Sequence, residues 1–392
     1  MDAKTTARER VEELRGELIE LSHRIHSHPE LGFQEVQACG WLTETLHRLG
    51  FEVEAAVYDL PTAFVARTGH GPLHVALTAE YDALPGIGHA CGHNIIAASA
   101  VGAGAALARL ADEVGLTVTV IGTPFEEGGA GKQLLLDRGA FDGIHAVAAV
   151  HPGPRDVWDP VLIASRRFDV EYTGKPAHAA GAPEAGINAA DAFTVAQVAL
   201  GLLRQHILPT DRLHGIMTKG GDAPNIVPAH TAGSYMVRSR TLEEAEKLYQ
   251  RVEHCFQAGA LATGAKLKIE AQIPYAELRQ DPDMAAYYRS NAEVLGRVFA
   301  SGQEVGVLGS TDLGNVSRVI PTIQPSIGLD CLPVVNHQPE FAAASVTDAG
   351  DRAILDGAVA LAWTLIDTAN DSKLRERLLQ RESQSSRFET KW

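Results

Sequence analysis

The segment His89-Ala90-Cys91-Gly92-His93 sets two imidazoles around a thiol in a glycine-containing turn ahead of an alanine-rich stretch. Side chains at that spacing reach a single ion, and Cys and His are preferred ligands of Zn²⁺ and related metals. Glu126-Glu127 is a second feature. One carboxylate of such a pair ligates a metal while its neighbour takes a proton from the attacking water. Gly122-Thr123-Pro124 before the pair and Gly128-Gly129 after it shape a tight loop rather than an extended charged face. His151 before Pro152, His337 in Asn336-His337-Gln338-Pro339, and His178 in Lys175-Pro176-Ala177-His178 say little individually. Each feature also has a plain origin: a buried cysteine between turn histidines, a solvated acidic turn, or a satisfied structural histidine.

Position is what joins them. The runs Phe51–Tyr58, Ala63–Arg67, Leu73–Thr78, Leu116–Gly122 and Ala146–Val150 read as strands. Glu9–His28, His93–Leu110 and Lys132–Arg138 read as helices, so the pattern is an α/β domain with a largely parallel sheet flanked by helices. Three of the strands are followed directly by AEYDALPGIGHACGHN, by TPFEEGG and by HPG. Ligands bind at the carboxyl ends of strands in open α/β sheets. Glu80, Asp82, His89, Cys91, His93, Glu126, Glu127 and His151 therefore converge on one edge.

After Trp158 the pattern changes to strand Ile163–Tyr172, helix Ile187–Gln205, strands Leu213–Thr218 and Thr231–Arg238, helix Leu242–Leu261 and strand Lys266–Ile273. That order is the split β-α-β-β-α-β of a ferredoxin-like α+β domain. The expected organisation is a first domain over residues 1–162, an insertion over 163–274, a return over 275–370 and a charged tail over 371–392 fraying from a helix end.

With 392 residues the chain exceeds the usual single core, and its 45% hydrophobic content supplies two. No apolar run approaches the ~18 residues of a spanning helix, and the charged N-terminus has no signal-peptide character. The net charge of −15 disfavours nucleic acid and anionic membranes as partners. Four scattered cysteines form no disulfide framework, which fits a reducing cytoplasm. Other chemistries fail: Glu126 stands where a P-loop needs its first glycine, and Gln133 follows Lys132 where that loop needs Ser or Thr. No G-x-S-x-G elbow and no dinucleotide fingerprint is present.

The set AEYDALPGIGHACGHN, GTPFEEGG, VHPG, KPAHAA, GGDAPNIVP, YMVRS, GSTDLGNVS and NHQPEF, in this order from about Ile25 to Phe341, resembles metallopeptidase family 20. That family includes aminoacylases, glutamate carboxypeptidases and auxin-conjugate amidohydrolases. Within its Cys-ligand branch the sequence is most similar to the aminobenzoyl-glutamate hydrolase and peptidase M-twenty-domain-containing protein 2 group. The resemblance implies a metal-dependent amidohydrolase or peptidase acting on a small dipeptide-like or N-acyl amino-acid substrate with a free carboxylate. It implies that Cys91 bridges two ions, with His93 and His151 completing one site and Glu127 and His337 the other. Glu126 is then the general base, His178 stabilises the oxyanion in the partner copy's active site, and Asn225 and Arg238 grip the substrate carboxylate. The inserted domain is correspondingly a lid and dimerisation domain, and the chain a homodimer. One or two divalent ions per chain follow, with Zn²⁺, Mn²⁺ or Co²⁺ compatible with the donors.

The sequence departs from the family twice. Glu80-Tyr81-Asp82 replaces the His-x-Asp of many relatives, so His93 takes over that histidine's role and Asp82 is left as a candidate orienting residue. Asn94 ends the motif where much of the Cys branch has Asp. Thr311, Asp312 and Asn315 are candidate pocket-wall residues. Rival readings are an N-acyl-amino-acid deacylase, a non-catalytic metal-binding protein on the same fold, and a thiol enzyme using Cys91. The last lacks a CxxC or other resolving partner.

Overall fold

The computed structural model describes residues 2–300 and 302–380. They form two compact units: one contains the chain up to Leu162 and from Leu278 onward, the other is Ile163–Glu277.

The first unit is built on a six-stranded sheet in the order Glu52–Ala55, Phe64–Thr68, Leu116–Gly122, Leu73–Ala79, Ala146–Ala148, Thr322–Ile323. Its inner pairings are parallel, while Phe64–Thr68 runs antiparallel to both of its neighbours. Leu73–Ala79 and Leu116–Gly122 are almost wholly buried, which explains their continuous apolar reading. The helix His93–Ala108 is buried on every side. It reads as alanine and glycine because larger residues have no room: a Cβ on Gly102 would lie 2.9 Å from Ala358 Cβ, and one on Gly104 would lie 2.7 Å from Val120. Asp348–Asn370 is likewise buried along most of its length and shares the same core.

Several sequence-derived boundaries move. Glu9–His28 is two helices, Ala3–Glu13 and Arg15–Ser27, because Leu14 leaves the helical region at φ −92°, ψ 1°. The expected strand Phe51–Tyr58 stops at Ala55, since Ala56, Tyr58 and Asp59 take left-handed backbone. After Ala148 the chain forms a separate short strand, His151–Gly153, parallel to Ser326–Gly328. Ser372–Gln380 is helical, and the remainder of the charged tail lies outside the described residues.

The second unit carries a four-stranded antiparallel sheet in the order Lys266–Ala271, Ala164–Thr173, His230–Ser239, Arg212–Lys219. Two helices, Ala189–Leu203 and Leu242–Thr263, join the sheet around Phe168, Tyr172, Phe193, Tyr235 and Phe256. Burial alternates residue by residue along His230–Ser239, so one face of that strand meets this core. The order of elements is the ferredoxin-like one.

Candidate metal centre

The carboxyl ends of Leu73–Ala79 and Leu116–Gly122 are adjacent, and the residues that follow them build the site. Gly92 opens the central helix with φ 78°, and a Cβ there would press to 2.9 Å from Pro152. Glycine thus admits the sharp entry that brings Cys91 and His93 beside His151. The three offer ligand atoms within 4.8 Å of one another, as do Cys91, Glu127 and His337, and also Glu80, His93 and Glu126. Cys91 is common to the first two groups. Cys91 Sγ is 3.5 Å from His151 Nε2, and His337 Nε2 is 3.3 Å from Glu127 Oε1. His337 holds a left-handed backbone (φ 68°) and its N–H donates to Ala90 O at 2.8 Å, which ties it to the Cys91 segment.

The ring nitrogens turned away from this cluster are occupied. His93 Nδ1 faces Asp82 O at 2.9 Å and Asp82 Oδ1 at 3.0 Å, both acceptors, so Nδ1 carries a hydrogen. His151 Nδ1 likewise faces Pro152 O at 2.9 Å. Metal-bound histidines are normally held this way, leaving Nε2 to the ion. His93 Nε2 is fully buried, has no hydrogen-bond partner among the described residues and lies 3.6 Å from Glu80 Oε2 and 3.9 Å from Glu127 Oε1. Burial alone would lower the His93 pKa, but Asp82 and the other neighbours outweigh it and raise it well above its ordinary value.

Donors separated by about 3.4 Å match two ligands of one tetrahedral ion at the usual ~2.1 Å bond lengths. The donor set of thiol, imidazole and carboxylate suits a divalent transition metal. Burial pushes the Cys91 thiol up, so an ion bound there would have to displace its proton.

Glu126 is buried, and that burial, with the carboxylates of Glu127, Glu80 and Asp312, raises it well above the ordinary range. Glu127 goes the opposite way: burial opposes, but His337 and His93 hold it low. Two adjacent carboxylates are thus shifted in opposite directions.

A further layer was not read from the sequence. Lys132 is fully buried, with Nζ 2.9 Å from Glu80 Oε1 and 2.5 Å from Asp312 Oδ1. Burial would lower its pKa, but Asp312, Glu80 and Glu126 outweigh that and keep the ammonium charged. Asp312, raised to about 6 by burial against the pull of Lys132, also accepts the Lys132 N–H at 2.9 Å. Asp312 and Asn315, read as pocket-wall candidates, are buried and bond inward, Asn315 Nδ2 donating to Gln133 Oε1 at 2.8 Å. Thr311 is buried too. Asn94 Nδ2 donates to Ser22 Oγ at 2.9 Å and so pins the central helix to the helix Arg15–Ser27. Asn336 donates to Pro152 O at 3.0 Å, beside Cys91. His89 belongs to none of the three groups, and burial lowers it to about 3.

His178, Asn225 and Arg238 lie in the second unit. His178 Nδ1 accepts the Gly181 N–H at 3.0 Å, and Ala179 N donates to Asn225 O at 3.0 Å, so these two segments are paired. Arg238 is half-buried at the end of His230–Ser239, on the alternate residues facing away from the core.

Residues 76–351 match the family model for peptidase family M20/M25/M40. The chain belongs to this family. It is 40% identical over 383 residues to the Xaa-Arg dipeptidase of Mus musculus, covering 93% of this chain and 88% of that one. It is 32% identical over 265 residues to a p-aminobenzoyl-glutamate hydrolase polypeptide of Escherichia coli strain K12, covering 62% and 55%. The M20 fold recurs in a putative aminohydrolase from methicillin-resistant Staphylococcus aureus, with a TM-score of 0.76 at 20% identity over 93% of this chain and 99% of that one. A Bacillus subtilis dinuclear metal-binding peptidase of family M20 gives a TM-score of 0.68 at 22% identity over 91% and 99%. As an M20 member the chain is a metal-dependent hydrolase acting on amide bonds. The resemblance read from its motifs was correct.

Proposed function

We propose that the chain is a dipeptidase for small substrates whose C-terminal residue is basic and carries a free carboxylate. The single observation behind this is the 40% identity, along nearly the whole chain, to the mouse Xaa-Arg dipeptidase. The net charge of −15 agrees with a cationic substrate.

Two ions are proposed, sharing Cys91: one with His93 and His151, the other with Glu127 and His337. The B. subtilis relative described as dinuclear supports that count. Zn²⁺ or Mn²⁺ fits this donor set, with Co²⁺ as a further candidate. A divalent ion supplies Lewis acidity to the amide carbonyl and lowers the pKa of water. Glu126 accepts a proton from the attacking water and returns it to the leaving amine nitrogen as the C–N bond breaks. Asp82 fixes the His93 ring. Asn225 and Arg238 take the substrate carboxylate, Arg238 as a bidentate partner. His178 donates to the developing oxyanion.

His178 is proposed to serve the partner copy in a homodimer formed through the second unit. Supporting this, the edge strand Arg212–Lys219 exposes Ile216 (65%) and Met217, and the helix Ala189–Leu203 exposes Val198 and Leu202 (69%). Exposed edges and apolar faces of this kind are usually covered. The reducing cytoplasm is the proposed location, since it keeps a ligand thiol such as Cys91 reduced.

Specificity is tested by kcat/KM over a panel of Ala-Arg, Ala-Lys, Ala-Glu, N-acetyl-arginine and p-aminobenzoyl-glutamate. Ala-Arg and Ala-Lys should exceed the others at least tenfold. A preference for N-acetyl-arginine would establish the deacylase reading instead, and one for p-aminobenzoyl-glutamate the reading that the E. coli relative's name suggests. Equilibrium sedimentation tests the dimer: a monomer fully active at high dilution would refute action across the dimer.

A further inference from the structure

Phe125, immediately before the carboxylate pair, adopts φ 54° and ψ 58°. Left-handed backbone is costly for a bulky residue, on the order of 1–2 kcal/mol, and persists only where surrounding structure imposes it. Three sets of contacts impose it here. The Phe125 N–H donates to Glu35 Oε1 at 2.9 Å. Glu35 is fully buried and its other oxygen accepts the Thr62 hydroxyl at 2.9 Å. The Phe125 ring occupies a slot made by two glycines, where a Cβ on Gly32 or Gly129 would fall 1.9 Å from it, and meets Phe33 edge-on at 4.9 Å. Further along the same loop, buried Asp82 and Asp312 accept the N–H groups of Glu127 and Lys132, each at 2.9 Å.

The loop that carries Glu126 is therefore fixed by backbone donors bound to buried carboxylates from three distant parts of the chain. Asp82 and Asp312 have other duties, to His93 and Lys132. Glu35 belongs to none of the three ligand groups, and two of its bonds reach Phe125 and Thr62.

We infer that Glu35 is a positioning residue for catalysis: through the Phe125 N–H it locks the left-handed turn that aims the Glu126 carboxylate. This rests on the reading of Glu126 as the general base. A displacement of about 1 Å at a reacting group costs on the order of 10²-fold in rate, and substrate binding by residues elsewhere is not affected by such a shift.

The test compares Glu35→Ala, Glu35→Asp and Glu35→Gln in the metal-loaded full chain, measuring kcat, KM and bound metal below each variant's melting temperature. Gln keeps an acceptor in place. Asp keeps the charge but is one methylene too short to reach Phe125, and it carries the test if Glu35→Ala does not fold. Expected is a loss of about 10–100-fold in kcat for Ala and Asp, with KM within about twofold, metal content unchanged, and Gln within about threefold of wild type. Unchanged kcat in Glu35→Asp overturns the inference. So does a loss in which metal content falls in step, or one that Gln shares. Glu126→Gln, measured alongside, separates the two ideas: if it leaves turnover intact, the reading of the base itself fails.

Discussion

Asp82 Oδ1 lies 3.0 Å from His93 Nδ1, while its other oxygen accepts the Glu127 N–H at 2.9 Å. One buried carboxylate therefore contacts two candidate ligands, His93 and Glu127. Burial would raise its pKa, but His93 and the Glu127 N–H outweigh that and keep it ionised. Asp82→Asn puts an NH₂ group against one of these partners. Metal affinity, measured by competition with a chromophoric chelator, should fall about 10–100-fold. Unaltered affinity would show that Asp82 is not an orienting residue.

Glu126→Gln removes the proposed proton acceptor and leaves the proposed ligands in place. Turnover should drop about 10²–10⁴-fold, with metal stoichiometry unchanged by elemental analysis. If metal is lost as well, Glu126 is acting as a ligand, through the group it forms with Glu80 and His93.

Lys132→Met leaves Glu80 and Asp312 facing each other in the interior without their shared cation. Breaking a buried pair from one side typically costs about 3–5 kcal/mol. Urea unfolding of the metal-free protein should show a loss of that order, and a loss under about 1 kcal/mol would mean that water reaches the cluster.

Glu35 provides a pH signature. Burial raises its pKa from 4.5 to about 7, against hydrogen bonds from its own N–H, Thr62 and Phe125. The folded state thus holds a proton that the unfolded state releases. This contribution to stability is complete below pH ~4.5 and is lost as pH rises through about 7. At most about 3 kcal/mol is involved. Relative to wild type, metal-free Glu35→Gln should gain stability between about pH 5 and 8, read from urea midpoints at each pH. A constant difference would place the Glu35 pKa near its ordinary value.

The segments carrying Glu80 to His93 and Glu126-Glu127 were legible because they follow the strands Leu73–Ala79 and Leu116–Gly122, whose apolar runs are recognisable without partners. The inserted unit was legible because its alternation and element order are local properties. What pattern reading missed depends on contacts across the chain. Lys132 meets Asp312 across 180 positions, and buried charge looks the same in sequence as surface charge. The grip of Glu35 on Phe125 spans 90 positions and uses a backbone N–H that no side-chain pattern reveals. The break at Leu14 and the early end of the strand at Ala55 are single-residue backbone choices inside otherwise regular patterns. The one available signal was the pair Gly128-Gly129, which marked the tight loop but not the aromatic ring that Gly129 admits.

The most direct test of a metal-centred mechanism is hydrolysis of Ala-Arg by purified protein before chelation, after it, and after return of Zn²⁺ or Mn²⁺, with bound metal counted at each stage. Two ions per chain are expected, with activity lost as they are removed and restored in proportion to the ions regained. Full activity in protein stripped of metal would contradict the mechanism.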